Sequence, residues 1–163
     1  MSKQIHPWFW FILSAFIVLN DQITKIVAVR YLTKHTYTAL PFLNFFLSYN
    51  PGAAFSFLGQ AGGWQRWLLI SIGIIVSAWI SIWICTTRII HMSAALTASL
   101  ILGGALGNLC DRVRLGYVID FIDFHIGYWH FATFNLADTA VTLGVFLWIL
   151  RSIFFQPNKL LTK

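Results

Sequence analysis

Four long apolar runs dominate the pattern of hydrophobic and polar positions along this chain. They extend over about residues 8–29, 64–85, 93–109 and 137–155. A helix needs roughly 20 apolar residues to cross the hydrocarbon core of a bilayer, and each run is close to that length. The sequence therefore predicts an α-helical integral membrane protein with four transmembrane helices, forming one membrane-embedded domain over residues 1–163. We interpret the first run as a retained span, since no small-residue cleavage site follows it.

The segments between these runs differ in character. In the first connection, over about residues 32–60, β-branched and aromatic residues are interrupted by Pro41, Pro51, Gly52 and Gly59. Such punctuation is typical of short strands and turns, so we predict a small β-rich cradle there. The last connection, between residues 110 and 136, also has a strand-like stretch in YVIDFIDFHI.

Composition supports the membrane assignment and narrows the classes of partner. Of the 163 residues, 58% are hydrophobic and only 10% are charged, against about a quarter charged in soluble domains. The formal net charge of +6 suits an anionic lipid surface. No nucleic acid is expected as a partner, because the basic residues are scattered and form no stripe with aromatics. Cys85 and Cys110 show neither disulfide nor zinc-site spacing.

All of the acidic residues are aspartates, and the predicted topology places them near one face of the membrane. Four antiparallel spans place the first and last connections on the same face of the membrane. The chain has no Glu, and its five carboxyl groups lie at or near that face, at Asp21, Asp111, Asp120, Asp123 and Asp138. Ionisable groups at bilayer depth are costly, by roughly 2.5–3.5 kcal/mol on insertion scales, and tend to be functional or paired. A close pair of aspartates can share a proton and perform acid–base chemistry.

Two of these aspartates have a structural interpretation. Asp21 and Lys25 are an i, i+4 pair that can neutralise itself on one helix face. Asp111 and Arg112, beside Asn108, have the pattern of an ion-paired corner at the end of the third span.

The remaining aspartates leave alternatives open. Asp120 and Asp123 stand among apolar residues, which should raise a carboxyl pKa. They would point in opposite directions on a strand but share a face on a helical turn, and the spacing alone does not choose between them. Asp138 begins an apolar run, where the helix dipole favours a negative charge. His125 and His130 lack the spacing of metal ligands, so we expect no metal site.

Several motifs together resemble the signal peptidase II family of bacteria, the prolipoprotein signal peptidases, which are aspartyl peptidases. The matching stretches, in the family's order, are DQITK at residues 21–25, YNPGAAFSFL at 49–58, GGALGNLCDRVRLGYVIDFID at 103–123 and FNLADTAVTLG at 134–144. They are distributed along most of the chain, from residue 21 to residue 144. Pro51 departs from the pattern, since the family more often has a polar residue there.

The resemblance implies a role for individual residues. It assigns Asp120 and Asp138 as the catalytic pair and places Asp123 at a position that varies in the family. Asp21 and Lys25 match structural polar positions. The substrate-binding or supporting positions are matched by Asn50, Gly52, Asn108, Asp111, Arg112, Asn135 and Ala137.

The resemblance also implies a substrate and a location. The expected substrates are diacylglyceryl-modified prolipoproteins, cut just before the lipidated cysteine, with no metal or organic cofactor. The expected location is the bacterial inner membrane, with cytoplasmic termini, an extracytoplasmic cradle and the site toward the periplasmic face. The distribution of Lys and Arg does not fix this orientation by itself. We expect a monomer. A proton-coupled transporter and a non-enzymatic assembly subunit are the rival classes, and neither accounts as well for aspartates gathered on one face.

Overall fold

The computed structural model describes residues 6–52, 62–87 and 91–154. Its four helices are each long and apolar enough to cross a membrane, which confirms the prediction of four transmembrane helices. Residue 155, the last of the predicted fourth span, lies outside the described residues. The helices are α1 (Pro7–Leu32), α2 (Trp64–Thr86), α3 (Met92–Arg114) and α4 (Leu136–Phe154).

Helix α3 is longer than the apolar pattern predicts. It continues to Arg114 instead of ending near Leu109. Its last turn contains Asp111, whose charge is compensated by an ion pair with Lys25 of α1. Arg66 of α2 donates from Nε and Nη2 to two of the last main-chain carbonyls of α3, at 3.0 Å each. Because these partners satisfy the polar groups of the last turn, the helix does not need to end where the apolar residues end.

Helix α3 is the centre of the bundle. Half of its spanning window is buried inside the protein, against 17–22% for the other three helices, whose apolar side chains mostly face outward. Small residues allow its neighbours to approach closely. A Cβ atom at Gly103 would lie 2.8 Å from Ile17 Cβ of α1, and one at Gly104 would lie 2.4 Å from the main-chain oxygen of Ala137 in α4. Both contacts therefore require glycine.

A small antiparallel sheet packs at one end of the bundle. It has the order β1-β2-β3-β4. The predicted sheet in the first connection is confirmed, but the last connection contributes two of the strands, so the cradle is shared between both connections. Residues 53–60 of the predicted β-rich segment lie outside the described residues. The strands are β1 (Tyr37–Leu40), β2 (Leu43–Asn50), β3 (Val118–Ile126) and β4 (Trp129–His130).

The sheet is tied directly to the start of α4. Phe134 lies just before α4 and forms two main-chain hydrogen bonds with Ile122 of β3. The Ile122 nitrogen donates to the Phe134 oxygen at 2.9 Å, and the Phe134 nitrogen donates to the Ile122 oxygen at 3.0 Å. On its other side, β3 pairs with β2, with Ser48 opposite Asp120. The strand that carries Asp120 is thus held against both the end of β2 and the helix that carries Asp138.

Candidate active site

The first turn of α4 fixes the orientation of the Asp138 carboxylate. Asn135 precedes the helix, and its side-chain Oδ1 accepts from the main-chain nitrogen of Asp138 at 2.8 Å. In return, Asp138 Oδ2 accepts from the main-chain nitrogen of Asn135 at 3.2 Å. This reciprocal arrangement is a capping box, which satisfies two otherwise free donors of the helix start. The local interpretation of Asp138 as a helix-start residue is therefore correct, and the same hydrogen bonds hold its carboxylate in place.

Asn135 also connects Asp138 to Asp120. Its side-chain Nδ2 donates to Asp120 Oδ1 at 2.7 Å. The orientation of this amide is fixed, since its oxygen accepts a main-chain N–H, a group that only donates. One fully buried side chain thereby binds the backbone of one aspartate and the carboxylate of the other.

The second oxygen of Asp120 is bound by the end of β2. Asn50 Nδ2 donates to Asp120 Oδ2 at 3.1 Å. The amide is again oriented by a donor, because Asn50 Oδ1 accepts from the main-chain nitrogen of Gly52 at 3.0 Å. The turn at Gly52 thus determines which end of Asn50 faces the carboxylate.

Asn108 of α3 performs the equivalent task at Asp138. Its Oδ1 accepts from Lys25 Nζ at 3.1 Å and from Asn135 Nδ2 at 3.2 Å. Since the lysine ammonium only donates, the Asn108 nitrogen must point away from it, and it donates to Asp138 Oδ1 at 2.7 Å. All four oxygens of Asp120 and Asp138 therefore accept a hydrogen bond from a donor whose position is fixed by the fold.

The environment of Asp120 favours its protonated form. Burial, followed by the neighbouring charge of Asp138, raises the pKa of the Asp120 carboxyl to about 6. The hydrogen bonds from Asn50 and Asn135 and the charge of Lys25 oppose this rise. Loss of hydration disfavours the carboxylate, and a nearby like charge does the same, whereas donors and cations stabilise it. A carboxyl group in this balance can exchange a proton near neutral pH.

Lys25 is the centre of a buried ionic cluster beneath these carboxylates. Its Nζ lies 2.8 Å from Asp21 Oδ2 and 2.8 Å from Asp111 Oδ2, and all three side chains are buried. The predicted pairing of Asp21 with Lys25 is confirmed. Asp21 Oδ1 also accepts from the main-chain nitrogen of Ala137 at 2.9 Å, and Asp111 Oδ2 from that of Ile119 at 3.2 Å. The cluster thus joins α1 and α3 to the start of α4 and to β3.

The predicted ion pair between Asp111 and Arg112 is wrong. Asp111 pairs with Lys25, because neighbouring residues on a helix point in different directions and Lys25 of α1 faces the Asp111 side. Arg112 Nη2 instead donates to the main-chain oxygen of Gly52 at 3.2 Å. The Arg112 guanidinium interacts electrostatically with Asp138, Asp120 and Asp111, without forming a direct ion pair with any of them among the described residues.

Asp123 lies outside this polar cluster. It is in β3, on a strand rather than a helical turn, and it has different partners from Asp120. Its carboxylate accepts from Asn44 Nδ2 at 3.1 Å and lies 2.9 Å from His130 Nδ1. The His130 ring stacks on His125. Across the described ranges, no group of three or more His, Cys, Asp or Glu side chains is arranged to hold a metal ion.

The structure adds one residue that the sequence analysis did not single out. Gln22 Nε2 donates to Asp111 Oδ1 at 2.9 Å and to Asp21 Oδ2 at 3.2 Å, beside the ionic cluster. Its position directly after Asp21 is not an i+3 or i+4 spacing, so helical periodicity contained no signal for this contact. Gln22 reaches Asp111 only because α3 packs against α1, and no local sequence pattern predicts that packing.

Comparison with known proteins agrees with this architecture. Residues 13–154 match the family model described as "Signal peptidase (SPase) II". A lipoprotein signal peptidase of Coxiella burnetii is 48% identical over 159 residues, which are 97% of this chain and 96% of the relative. One of Cupriavidus taiwanensis is 46% identical over 148 residues, covering 90% of this chain and 84% of the relative.

A solved structure extends the likeness to three dimensions. A bacterial membrane enzyme determined by the in meso method at 2.3 Å resolution superposes with a TM-score of 0.84 and 32% sequence identity. The superposition covers 100% of this chain and 98% of that one. The family model and the full-length relatives lead to the same conclusion, that this multi-pass membrane protein belongs to the signal peptidase II family.

Proposed function

We propose that this protein is an aspartic endopeptidase that removes signal peptides from diacylglyceryl-modified prolipoproteins, cutting just before the lipidated cysteine. Asp120 and Asp138 are its catalytic pair. The observation that carries the proposal is the bridge formed by Asn135, which binds the Asp120 carboxylate and the backbone of Asp138 at once. This bridge holds two carboxyl groups of different chain segments, one buried and one partly buried, in one hydrogen-bonded site.

The proposed reaction needs one proton shared by the two carboxyl groups. Two close carboxylates resist double ionisation, so one is charged while the other is protonated. The charged carboxylate takes a proton from a water molecule, whose oxygen attacks the carbonyl carbon of the scissile peptide bond. The protonated carboxyl donates to the carbonyl oxygen. When the tetrahedral intermediate collapses, the C–N bond breaks. The carboxyl that took the proton of water donates it to the leaving amine of the cysteine, and the other carboxylate takes a hydroxyl proton from the intermediate, which restores the starting pair. Each such acid or base contributes roughly 10²–10⁴-fold to the rate.

The fixed donors around the pair suit this chemistry. Each carboxylate oxygen uses one lone pair on a donor of the protein and keeps another for water or substrate. The donors cannot rotate to follow the proton, since each amide is held by Lys25 or by a main-chain N–H. Preorganised donors avoid reorganisation during the reaction, which is a large part of electrostatic catalysis.

The proposed substrate fits the position of the site. Asp120 is in the sheet and Asp138 in the first turn of α4, so the pair lies where the bundle meets the sheet. At such a boundary the acyl chains of a substrate remain in lipid while water reaches the peptide bond. We place the sheet and the site on the periplasmic face of the inner membrane, with both termini in the cytoplasm. The working unit we propose is a monomer.

The test is cleavage of a synthetic diacylglyceryl-modified prolipoprotein peptide by the purified protein in lipid, with a chelator present throughout. The Asp120→Asn and Asp138→Asn variants should each lose at least roughly 10²-fold in rate. Asp123→Asn is the matched control, because it changes a buried aspartate of the same strand that contacts neither carboxyl of the pair, and it should retain activity. The unmodified peptide should not be cut.

Three results would contradict the proposal. Full activity in either pair variant would remove that residue from catalysis. Equal cleavage of the unmodified peptide would refute the substrate assignment. A faster cleavage by the wild type when the chelator is left out would refute the metal-free mechanism. Thermal unfolding of each variant in the same lipid shows whether a loss of cleavage comes from a loss of fold.

A further inference from the structure

A second feature lies beside the polar cluster, between the end of α1 and the sheet. It is a cavity of about 480 Å³. This volume is within the range of small-ligand sites, roughly 300–1,000 Å³. The lining is mostly aliphatic and aromatic, and its residues include Val27, Ala28, Leu32, Tyr37, Phe45 and Phe121. An apolar cavity of this kind does not hold ordered water well, since water needs polar partners.

The cavity is separate from the candidate active site. None of its lining residues belongs to the set of aspartates, asparagines and Lys25 that surrounds Asp120 and Asp138. Its floor includes Phe121, the next residue after Asp120 in β3. The ring of Tyr37 stacks on that of Phe45 at 6.4 Å and extends the apolar wall. A ligand here would contact the strand of Asp120 without touching its carboxylate.

The rim of the cavity, defined as the exposed residues next in sequence to its lining residues Tyr31 and His35, is cationic. Arg30, Lys34 and His35 are exposed around the end of α1, and His35 is itself part of the lining. The Arg30 guanidinium lies 5.8 Å from the ring centroid of Tyr31, another lining residue. The part of α1 after Asp21, β1 and β2 contain no acidic residue. The lining strand β3 contains two, but both are buried and already bound, Asp120 by Asn50 and Asn135 and Asp123 by Asn44 and His130. The rim therefore attracts an anion.

The aromatic residues indicate the depth of the cavity in the membrane. Tyr31 and Tyr37 are exposed by 66% and 62%, and both line the cavity. Tyrosine favours the boundary between hydrocarbon and headgroups, where its ring is apolar and its hydroxyl is hydrated. At this depth the apolar interior of the cavity lies level with the acyl chains of the bilayer, and its cationic rim lies level with the lipid phosphates.

We propose that this cavity binds one acyl chain of an anionic membrane phospholipid, with the phosphate of that lipid against Arg30 and Lys34. The apolar lining selects a hydrocarbon chain, the volume admits a single chain, and the cationic rim selects an anionic headgroup over a zwitterionic one. The bound chain would brace the end of α1 against β2 and β3.

The test is photolabelling in phosphatidylcholine nanodiscs that contain a phosphatidylglycerol with a diazirine on one acyl chain. Peptide mapping should find the label on residues 27–32 of α1 and around Phe45 or Phe121. Ala28→Phe and Val27→Phe both fill the cavity and should reduce this label to background. Ala15→Phe is the matched control, because Ala15 is an exposed residue of the same helix away from the cavity, and it should leave the label unchanged. Val27 is 48% exposed, so its variant keeps the test valid if the buried Ala28 variant does not fold.

The headgroup preference is tested with charge variants. Arg30→Gln and Lys34→Gln should each weaken phosphatidylglycerol labelling by about fivefold, whereas Arg151→Gln, near the end of α4, should not.

Several results would overturn the proposal. One is labelling spread evenly over all lipid-facing helices. Another is equal labelling by a diazirine phosphatidylcholine with no effect of the charge variants. Displacement of the label by the diacylglyceryl peptide, but not by unlabelled phosphatidylglycerol, would assign the cavity to the substrate instead.

Discussion

Lys25 donates from Nζ to Asn108 Oδ1 at 3.1 Å and thereby turns the amide nitrogen of Asn108 toward Asp138. A lysine of α1 that does not touch Asp138 thus determines that this carboxylate accepts a hydrogen bond from α3. The same ammonium neutralises Asp21 and Asp111. The structural cluster and the proposed catalytic pair are consequently parts of one continuous hydrogen-bond network.

Removing Lys25 should strongly destabilise the fold. We expect Lys25→Met to lower the free energy of unfolding by roughly 3–5 kcal/mol, because it leaves two buried carboxylates without their shared cation. The measurement is thermal or denaturant unfolding of the purified protein in detergent. Lys34→Met changes an exposed lysine near the end of the same helix and should stay within about 0.5 kcal/mol of the wild type. Equal stability of the two variants would show that the buried ion pairs contribute little.

The two roles of Asn135 should be separable. Serine also caps helices, so Asn135→Ser should keep most of the stability that Asn135→Ala loses, about 1 kcal/mol. Serine is too short to replace the donor to Asp120, so cleavage should fall in both variants. The fall should be roughly tenfold to a hundredfold, since a hydrogen bond to a charged group is worth about 1.5–3 kcal/mol. Unfolding temperature and cleavage rate measured on both variants check this, and full activity of Asn135→Ser would show that the donor is dispensable.

The pH profile should report the hydrogen bond from Asn50 to Asp120. This bond stabilises the ionised carboxylate and lowers the pKa of Asp120, so its removal should raise that pKa. In Asn50→Ala, we expect the limb of kcat/KM that reflects Asp120 to move to higher pH by about one unit, since a unit of pKa corresponds to about 1.4 kcal/mol. Asn44→Ala is the control, because Asn44 is in the same strand and donates to Asp123. A shift in the control variant, or none in Asn50→Ala, would contradict the assignment.

Close packing between α3 and α4 should be necessary for the site. A Cβ at Gly104 would lie 2.4 Å from the Ala137 main-chain oxygen, so Gly104→Ala must displace the first turn of α4, which contains Asp138. We expect a loss of about 1–3 kcal/mol in stability and a lower cleavage rate. Gly73→Ala in α2 is the matched control, since its Cβ would lie 3.4 Å from a Leu109 side-chain carbon and alanine favours the helix. Normal activity of Gly104→Ala would show that the bundle absorbs the displacement.

Much of the architecture was predictable because it depends on local hydrophobicity. The four spans follow from the length of the apolar runs, and the strands from β-branched and aromatic residues between turn residues. The end of α3 was not predictable, because Asp111 and Arg112 interrupt the apolar pattern. Its last turn is satisfied by Lys25 and Arg66, which are distant in sequence. The partner of Asp111 was predicted wrongly for the same reason.

By itself, the sequence determined the membrane class, the gathering of aspartates at one end and, through its motifs, the family. Only the tertiary structure decided which groups meet. It separated Asp123 from Asp120 by placing both on a strand, and it paired Asp111 with Lys25. It also oriented each asparagine amide by a donor from another segment. Such choices lie beyond sequence patterns because a hydrogen bond depends on the distance and direction between two groups. Spacing along the chain fixes that geometry only within one helix or strand.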